Sequence, residues 1–500
     1  MDCKKFEWKK LYGNGTYGYV HQVRRIHENE TTSSEKDDFY ALKITYRNQE
    51  IKGYYDFREN DMFNQLRHSC IINLVDIIKY PDVEISRRYK PKEDDMYQNE
   101  VSLLFECGKY DYYDKSPMKE EQARKPIVDL LLALEYLHMY KIVHRDIKPA
   151  NIVYCEKDDK AKLIDFGFVK PGFDGCNYSP RAISLPFRPP ELFYMKSDKP
   201  AKYGTEVDIW SAAITWIFFI TGKMINFPND DSKGFEAINC IADYVPNNTG
   251  ADISELTTLH LSKVPTTTKN WNRFFGHRVK DISPEFWFLI ERMADWNPRT
   301  RWSATMILNN NYFDKEREYI NTIRSNNKIP FAFRPYIYTV IFSPERELMI
   351  SECDRCMNIE MCGIDSILYK CITNRVWFHS VDTIDRYIQW RKEKNIPRPP
   401  PSVSLFRTQV ILYYFYKYFS TMKECCMFSE LFKSAPDNKI THNAILEWER
   451  TLSFDILKWN IYRYTAFERA QMNMDKIDFY KKEYRSGNIH NKLITPLERI

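Results

Sequence analysis

The sequence lacks a long apolar run, a charge excess and the cysteine density of a disulfide scaffold. Its longest apolar stretch, Ile209 to Ile220, is too short to span a bilayer and is interrupted by Ser211 and Thr215. The first residues, Met1-Asp2-Cys3-Lys4-Lys5-Phe6-Glu7-Trp8, hold none of the apolar core of a signal peptide. Twelve cysteines in 500 residues fit a reduced compartment. With 73 basic against 68 acidic side chains the net charge is +5, too mild to argue for a nucleic acid or a membrane surface as partner. These absences lead to the expectation of a soluble, intracellular protein. What is present is core material: 43% of residues are hydrophobic and 15% aromatic, which excludes a disordered chain. The length suggests roughly three domains.

The most informative stretch is His144-Arg145-Asp146-Ile147-Lys148-Pro149-Ala150-Asn151, with Lys148 two residues after Asp146 and Asn151 five after. Phosphoryl transfer uses such a set. A carboxylate orients the attacking hydroxyl and accepts its proton, a lysine neutralises the moving phosphoryl group, and an amide oxygen helps to hold a metal ion. Nineteen residues after Asp146 comes Asp165-Phe166-Gly167, a second carboxylate beside a glycine that eases a turn. Between them, Ile152-Val153-Tyr154 and Ala161-Lys162-Leu163-Ile164 read as short strands around the polar turn Glu156-Lys157-Asp158-Asp159-Lys160. A hairpin there returns Asp165 towards Asp146 and Asn151. The two linked motifs resemble the catalytic loop and metal-binding segment of eukaryotic protein kinases.

Upstream, Gly13-Asn14-Gly15-Thr16-Tyr17-Gly18-Tyr19-Val20 is a glycine-rich turn that lets backbone N–H groups approach phosphates. Taken alone, it is equally an ordinary turn between strands. Tyr40-Ala41-Leu42-Lys43-Ile44 follows as a strand with one lysine, either a surface residue or, behind a glycine loop, a ligand of the α- and β-phosphates. Residues from about Lys52 to Leu66 have helical spacing, with Glu59 on the stripe of Tyr55, Met62, Phe63 and Leu66. A carboxylate on an apolar face needs a cation, and Lys43 is the natural one. Lys79 to Glu100, charged and proline-punctuated, reads as a surface insertion before a strand from Val101 to Phe105.

Further on, Lys125 to His138 shows a buried-helix pattern, and Asp208-Ile209-Trp210-Ser211 opens a second one. Arg188-Pro189-Pro190-Glu191 ends a stretch resembling a kinase activation segment, and Arg301 stands where the family has the arginine that pairs with Glu191. The resemblance covers about residues 6 to 316. It is best to the cyclin-dependent kinases, through the Gly13–Gly18 loop with Thr16 and Tyr17 and through Phe57-Arg58-Glu59. Pro186, Pro189 and Ala213 depart from the usual residues.

The resemblance implies an α+β two-lobed protein kinase fold, with the N-lobe over 1–105 and the C-lobe over 106–316. It implies ATP-dependent phosphorylation of serine or threonine in protein substrates, with Mg2+ as cofactor. Asp146 is then the hydroxyl-orienting base and Lys148 the charge neutraliser. Glu59 positions Lys43, and Asn151 and Asp165 hold the metal. Nucleotide contacts are implied at Tyr12, Gly13, Asn14, Gly15, Thr16, Tyr17, Gly18, Val20, Ala41, Lys43, Glu106, Gly108 and Val153. Glu106-Cys107-Gly108 forms the hinge that meets adenine, with Phe105 behind it. Ser179 stands near the activating phosphorylation site, with Arg145 as the phosphate's partner; the alternative is an ordinary exposed serine. Rival functions are a pseudokinase scaffold and a kinase with a C-terminal targeting module.

Past about Asp314 the composition shifts, Asn321 to Lys328 reads as a linker, and the linker as a whole is placed over 317–345. Three amphipathic runs follow. Trp377, Val381, Ile384 and Ile388 share one face. Pro400-Pro401 and Ser404 open a helix containing Val410 to Phe419. Thr441 caps a third, with Ile445, Trp448, Leu452, Ile456 and Trp459 along it. Ordinary core packing accounts for these stripes, yet Ser380 to Ile388 resembles the second helix of a cyclin box. Ile445 to Arg450, with Phe454 to Trp459, resembles its fifth. The expectation is an all-α cyclin-like helical domain over 346–470 and a tail over 471–500, against an unrelated helical extension. The resemblance implies contacts to the kinase from Lys417 and, more weakly, Glu449, and so an intramolecular activator. Cys353, Cys356, Cys362 and Cys371 read as ordinary thiols, with a zinc site as the alternative.

Overall fold

Strand alternation builds the first layer. β1 (Lys4–Gly15), β2 (Gly18–Arg25) and β3 (Phe39–Tyr46) pair antiparallel, with Gly15 opposite Gly18 and Val20 opposite Lys43. β4 (Leu74–Lys79), β5 (Val83–Glu84) and β6 (Gln98–Glu106) complete a six-stranded sheet in the order β4-β6-β3-β2-β1-β5. The two-residue period sends Phe6, Val23, Leu42, Ile44, Ile78 and Leu104 into one core. Ala41 and Lys43 alternate with Leu42 and Ile44 and fall on the opposite face. The strands expected at 40–44 and 101–105 are therefore present.

This computed structural model describes residues 4–15, 18–25, 39–46, 63, 66–79, 83–84, 98–171, 178–179, 181–193, 203–228, 234–246, 272–276, 281–327, 344–357, 366–419, 448–449, 451–452 and 456–457. Of the helix expected from Lys52 to Leu66, Phe63 and Leu66 are described and both are buried; Glu59 and most of the insertion expected before Val101 lie outside the described residues. The chain divides into two units, Met1–Tyr46 with Arg67–Lys328, and Arg47–Leu66 with Ile329–Ile500.

The rest of the first unit is mainly helical. Along α1 (Glu120–Met139), Ile127, Leu130, Leu131, Leu134 and Leu137 are buried, as their spacing requires. α2 (Glu206–Thr221) is buried continuously from Val207 to Ile220. A helix that is apolar on every side belongs in a core, and the longest apolar run of the sequence is spent here. Trp216 on α2 meets Phe286 of α3 (Pro284–Met293), Tyr312 and Phe313 at centroid distances of 4.9, 5.6 and 5.9 Å. Gly222 stops α2 with a φ of +67°, donating its N–H to the Phe218 carbonyl at 2.8 Å. No helix among the described residues is long and apolar enough to cross a membrane.

Short strands frame the helices: β7 (Tyr110–Asp111), β8 (Ile142–Val143), β9 (Ile152–Cys155), β10 (Lys160–Leu163) and β11 (Lys170–Pro171). β9 and β10 form the expected hairpin, with Ile152 opposite Leu163 and Cys155 opposite Lys160. One expectation is corrected. The beginning of the supposed linker is α4 (Arg317–Ser325). Ile320 and Ile323 of α4 are buried, Tyr319 donates to Asp129 at 2.5 Å, and Arg324 clasps Glu135 at 2.7 and 2.8 Å. Polar side chains, Tyr319 and Arg324, are among its means of attachment.

In the second unit, α5 (Pro344–Met357), α6 (Ser366–Glu393) and α7 (Pro401–Phe419) pack pairwise. Val381, Ile384 and Ile388 are buried on α6, and Val410 to Leu412 on α7. Arg346 grips Asp385 at 2.5 and 3.1 Å, and Arg391 meets Glu345 at 2.6 Å, so the interior carries paired charges. Of the third expected run, Trp448, Leu452 and Ile456 are buried, and Thr441 lies outside the described residues. Cys353 is buried; the side chains of Cys356, Cys362 and Cys371 lie outside the described residues.

Candidate active site

The loop that follows β8 is fastened from below by one carboxylate. Asp208, near the start of α2, accepts the backbone N–H groups of His144 and Arg145, each at 2.8 Å, and lies 3.0 Å from His138 Nε2. With the backbone pinned, Arg145 takes a φ of +69°, rare outside glycine. The next residue, Asp146, is buried and receives three side chains. Lys148 Nζ and Asn151 Nδ2 each donate to Oδ2 at 2.8 Å, and the Ser184 hydroxyl donates to Oδ1 at 2.7 Å. Such charge-assisted bonds hold the carboxylate in one orientation.

The β9–β10 hairpin returns the chain to this loop, and Ile164 N–H donates to the Asn151 carbonyl at 2.9 Å. Asp165 follows. Its Oδ1 accepts from Lys43 Nζ at 3.0 Å, joining the sheet to the hairpin. Burial pushes the Asp165 carboxyl up, but Lys43, helped by His144 and Lys148, holds it below the usual carboxylate range. The left-handed residue of the turn is Asp165 itself, at a φ of +62°, rather than Gly167. Phe166 is buried edge-on to His144 at 4.9 Å, and burial pushes that imidazole down, towards its neutral form.

These residues suit a hard divalent cation. The Asn151 amide nitrogen is committed to Asp146, by side chain and backbone carbonyl alike, so the amide oxygen is the atom it can offer to a cation. With the Asp165 carboxylate it makes an oxygen donor set of the kind Mg2+ takes.

The residues expected to cradle a nucleotide are partly described. Gly13, Asn14, Gly15 and Gly18 lie in the β1–β2 ladder; Thr16 and Tyr17 lie outside the described residues. Val20 and Ala41 are half-buried on neighbouring strands. At the expected hinge, the Glu106 carboxylate is occupied by Asn73 N–H at 2.7 Å and by Lys162 Nζ at 2.8 Å to each oxygen. Gly108 has no room for a side chain: a Cβ there meets Val153 Cβ at 2.8 Å. The Tyr12 hydroxyl lies 2.9 Å from Cys107 Sγ and 3.3 Å from the Gly108 carbonyl.

Beyond Asp165, Glu191 and Arg301 form the expected pair, buried and bidentate at 2.9 and 3.1 Å. Ser179 is exposed, and its carbonyl accepts from the Tyr203 hydroxyl at 2.9 Å. Arg145 Nε donates to the Phe168 carbonyl at 2.6 Å, and its guanidinium lies 5.3 Å from the centroid of the buried Tyr178 ring. Of the residues expected to contact the kinase from the C-terminal region, Glu449 is buried; Lys417 lies on α7, its side chain outside the described residues. Sequence reasoning missed the role of Ser184 and the contact of Tyr12 with Cys107. The signal for Ser184 is faint, a hydroxyl seven residues before Glu191.

A profile of the protein kinase domain matches residues 6–313. Among curated proteins, cyclin-dependent kinase C-1 of Oryza sativa is 29% identical over 330 residues, which cover 63% of this chain and 59% of that protein. Cyclin-dependent kinase 1 of Encephalitozoon cuniculi is 27% identical over 322 residues, covering 62% of this chain and 97% of that protein. The CTD kinase subunit alpha of Saccharomyces cerevisiae is 27% identical over 311 residues, covering 61% and 54%. The chain thus spans under two thirds of the length of the rice and budding-yeast relatives.

Proposed function

The chain belongs to the protein kinase family, and from that premise we propose that it transfers the γ-phosphate of ATP to serine or threonine hydroxyls of protein substrates, as a cyclin-dependent-type kinase. The observation that carries this reading is the convergence of Lys148, Asn151 and Ser184 on Asp146, with Asp165 held by Lys43. A substrate hydroxyl donates to the Asp146 carboxylate, which takes the proton as the new O–P bond forms and the bond to the ADP oxygen breaks. Lys148 neutralises charge on the transferring group, and Lys43 serves the α- and β-phosphates. Bound Mg2+ would offset the phosphate charge, with Asn151 and Asp165 as its ligands. The test is incubation of the purified full-length chain with ATP, Mg2+ and a peptide library, beside Asp146→Asn. Phosphoserine or phosphothreonine formed by the first and not by the second is the expected result. Equal or absent transfer by both removes the assignment.

We also propose that the C-terminal helices form a cyclin-like domain that activates the kinase in cis. Two features support it. The cyclin-like sequence at 380–388 lies on the buried face of α6, and Trp448, Leu452 and Ile456 of the second cyclin-like stretch are buried as well. Relatives carrying the words cyclin-dependent in their names make a cyclin-like activator a coherent partner. Ser179 is proposed as the activating phosphorylation site; full activity of Ser179→Ala, with no phosphate mapped to Ser179 in active protein, removes it.

A further inference from the structure

One contact outside the phosphoryl-transfer machinery links the glycine-rich strand to the hinge. The β1–β2 register slips between Leu11 and Gly13, leaving Tyr12 out of the pairing. Such a slip re-aims a side chain and is common beside active sites. Here it delivers the Tyr12 hydroxyl to Cys107 Sγ at 2.9 Å and to the Gly108 carbonyl at 3.3 Å. Gln22 of β2 approaches the same sulfur with its amide nitrogen at 3.6 Å. Two strands of the sheet thereby converge on one hinge side chain. The Tyr12 residue is 39% exposed, so the contact stands at the outer edge of the cleft rather than in the core.

Resting on the nucleotide-cleft reading above, we propose that Tyr12 is a positioning residue: a latch that ties the glycine-rich strand to the hinge and sets how long nucleotide is held. The hinge side of the latch is rigid. Gly108 is wedged against Val153, and Lys109 N–H donates to the Tyr154 carbonyl at 2.8 Å, so the hinge does not follow the strand when it lifts. Opening the mouth of the cleft therefore means breaking the Tyr12 contacts. Burial and the neighbouring Cys107 push the phenol up, which keeps the hydroxyl protonated at physiological pH. One net hydrogen bond of ordinary strength corresponds to a change of about fivefold in nucleotide retention.

The test uses the full-length chain and Tyr12→Phe, which deletes the hydroxyl alone. Dissociation of a fluorescent ADP analogue is followed by stopped flow, with steady-state KM and kcat for ATP. In parallel, alkylation of Cys107 by iodoacetamide is read by peptide mass spectrometry. The latch requires ADP to leave about fivefold faster from Tyr12→Phe, the loss to fall on KM rather than kcat, and Cys107 to alkylate faster. It also requires Cys107→Ala to cost less in the Tyr12→Phe background than in the wild type. A wild type that binds nucleotide, beside a Tyr12→Phe with the same dissociation rate and the same Cys107 reactivity, overturns the latch alone. A wild type that binds no nucleotide overturns the cleft assignment and the latch with it.

Discussion

Ser184 stands 38 residues from Asp146 in the chain, yet its hydroxyl donates to Asp146 Oδ1 at 2.7 Å while Lys148 lies 3.4 Å from the same hydroxyl. The activation segment thereby reaches into the catalytic loop and fixes the carboxylate from the side opposite Asn151 and Lys148. Removing the hydroxyl frees Asp146 to turn away from the attacking group. Ser184→Ala should lower kcat about tenfold, equivalent to about 1.4 kcal/mol, while Ser184→Thr retains most activity. Steady-state phosphotransfer to one peptide, at saturating ATP, measures both.

Asp165→Asn should nearly abolish transfer and leave the protein folded, because it removes charge from the proposed metal site without removing volume. Turnover near wild type in a magnesium assay free of contaminating kinases would refute this. The Asp165–Lys43 pair also predicts a pH effect. The folded-state carboxyl lies below its unfolded value, so the pair stabilises the fold fully above about pH 5. That stability is lost as the pH falls through the folded value. The stability gap between wild type and Lys43→Met, from urea unfolding across pH 3 to 7, should be constant above about pH 5 and close at the acid end.

Arg301 donates to both Glu191 oxygens and to the Asp295 and Glu206 carbonyls, with its side chain wholly buried. Arg301→Met strands a buried carboxylate and should cost about 3–5 kcal/mol in chemical unfolding. Adding Glu191→Gln should recover part of the loss. A cost under about 1 kcal/mol for the single variant would show that the pair contributes no more than a surface salt bridge.

Activation in cis is tested by comparing residues 1–328, residues 1–500, and residues 1–328 with the separate C-terminal domain added. Tethering gives an effective concentration in the ~mM range where the linker reaches, so even weak docking stays occupied. The short form should be weakly active and recover when the domain is added, and Lys417→Glu should depress the full chain. Full activity of the short form, with no binding to the domain, would leave the kinase assignment standing without the self-activation.

The pieces of the site that were legible in the sequence are those set by local spacing. Asp146, Lys148 and Asn151 share one short loop, and the Ile152–Leu163 hairpin is a local structure, so the return of Asp165 followed from strand pattern alone. The pairing of Glu191 with Arg301, 110 positions apart, was readable only through family resemblance. Ser184 and Tyr12 carry no periodicity and no unusual composition; what places them is the path of an activation segment and a slip in one strand ladder. The reading of 317–325 as linker failed because α4 attaches through charge and one tyrosine, and its two buried isoleucines are too few to announce a face.

The burial of α2 has a consequence during synthesis. The helix leaves the ribosome well before its cover, since Phe286, Tyr312 and Phe313 follow Trp216 by as much as roughly a hundred residues, or about 5–20 s of translation. For that interval the face of α2 around Trp216 lacks its cover, although Asp208 can already reach the loop after β8. A nascent chain paused before Phe286 is therefore a strong chaperone client, and fragments ending there should be recovered as aggregates, whatever the activity of the finished protein.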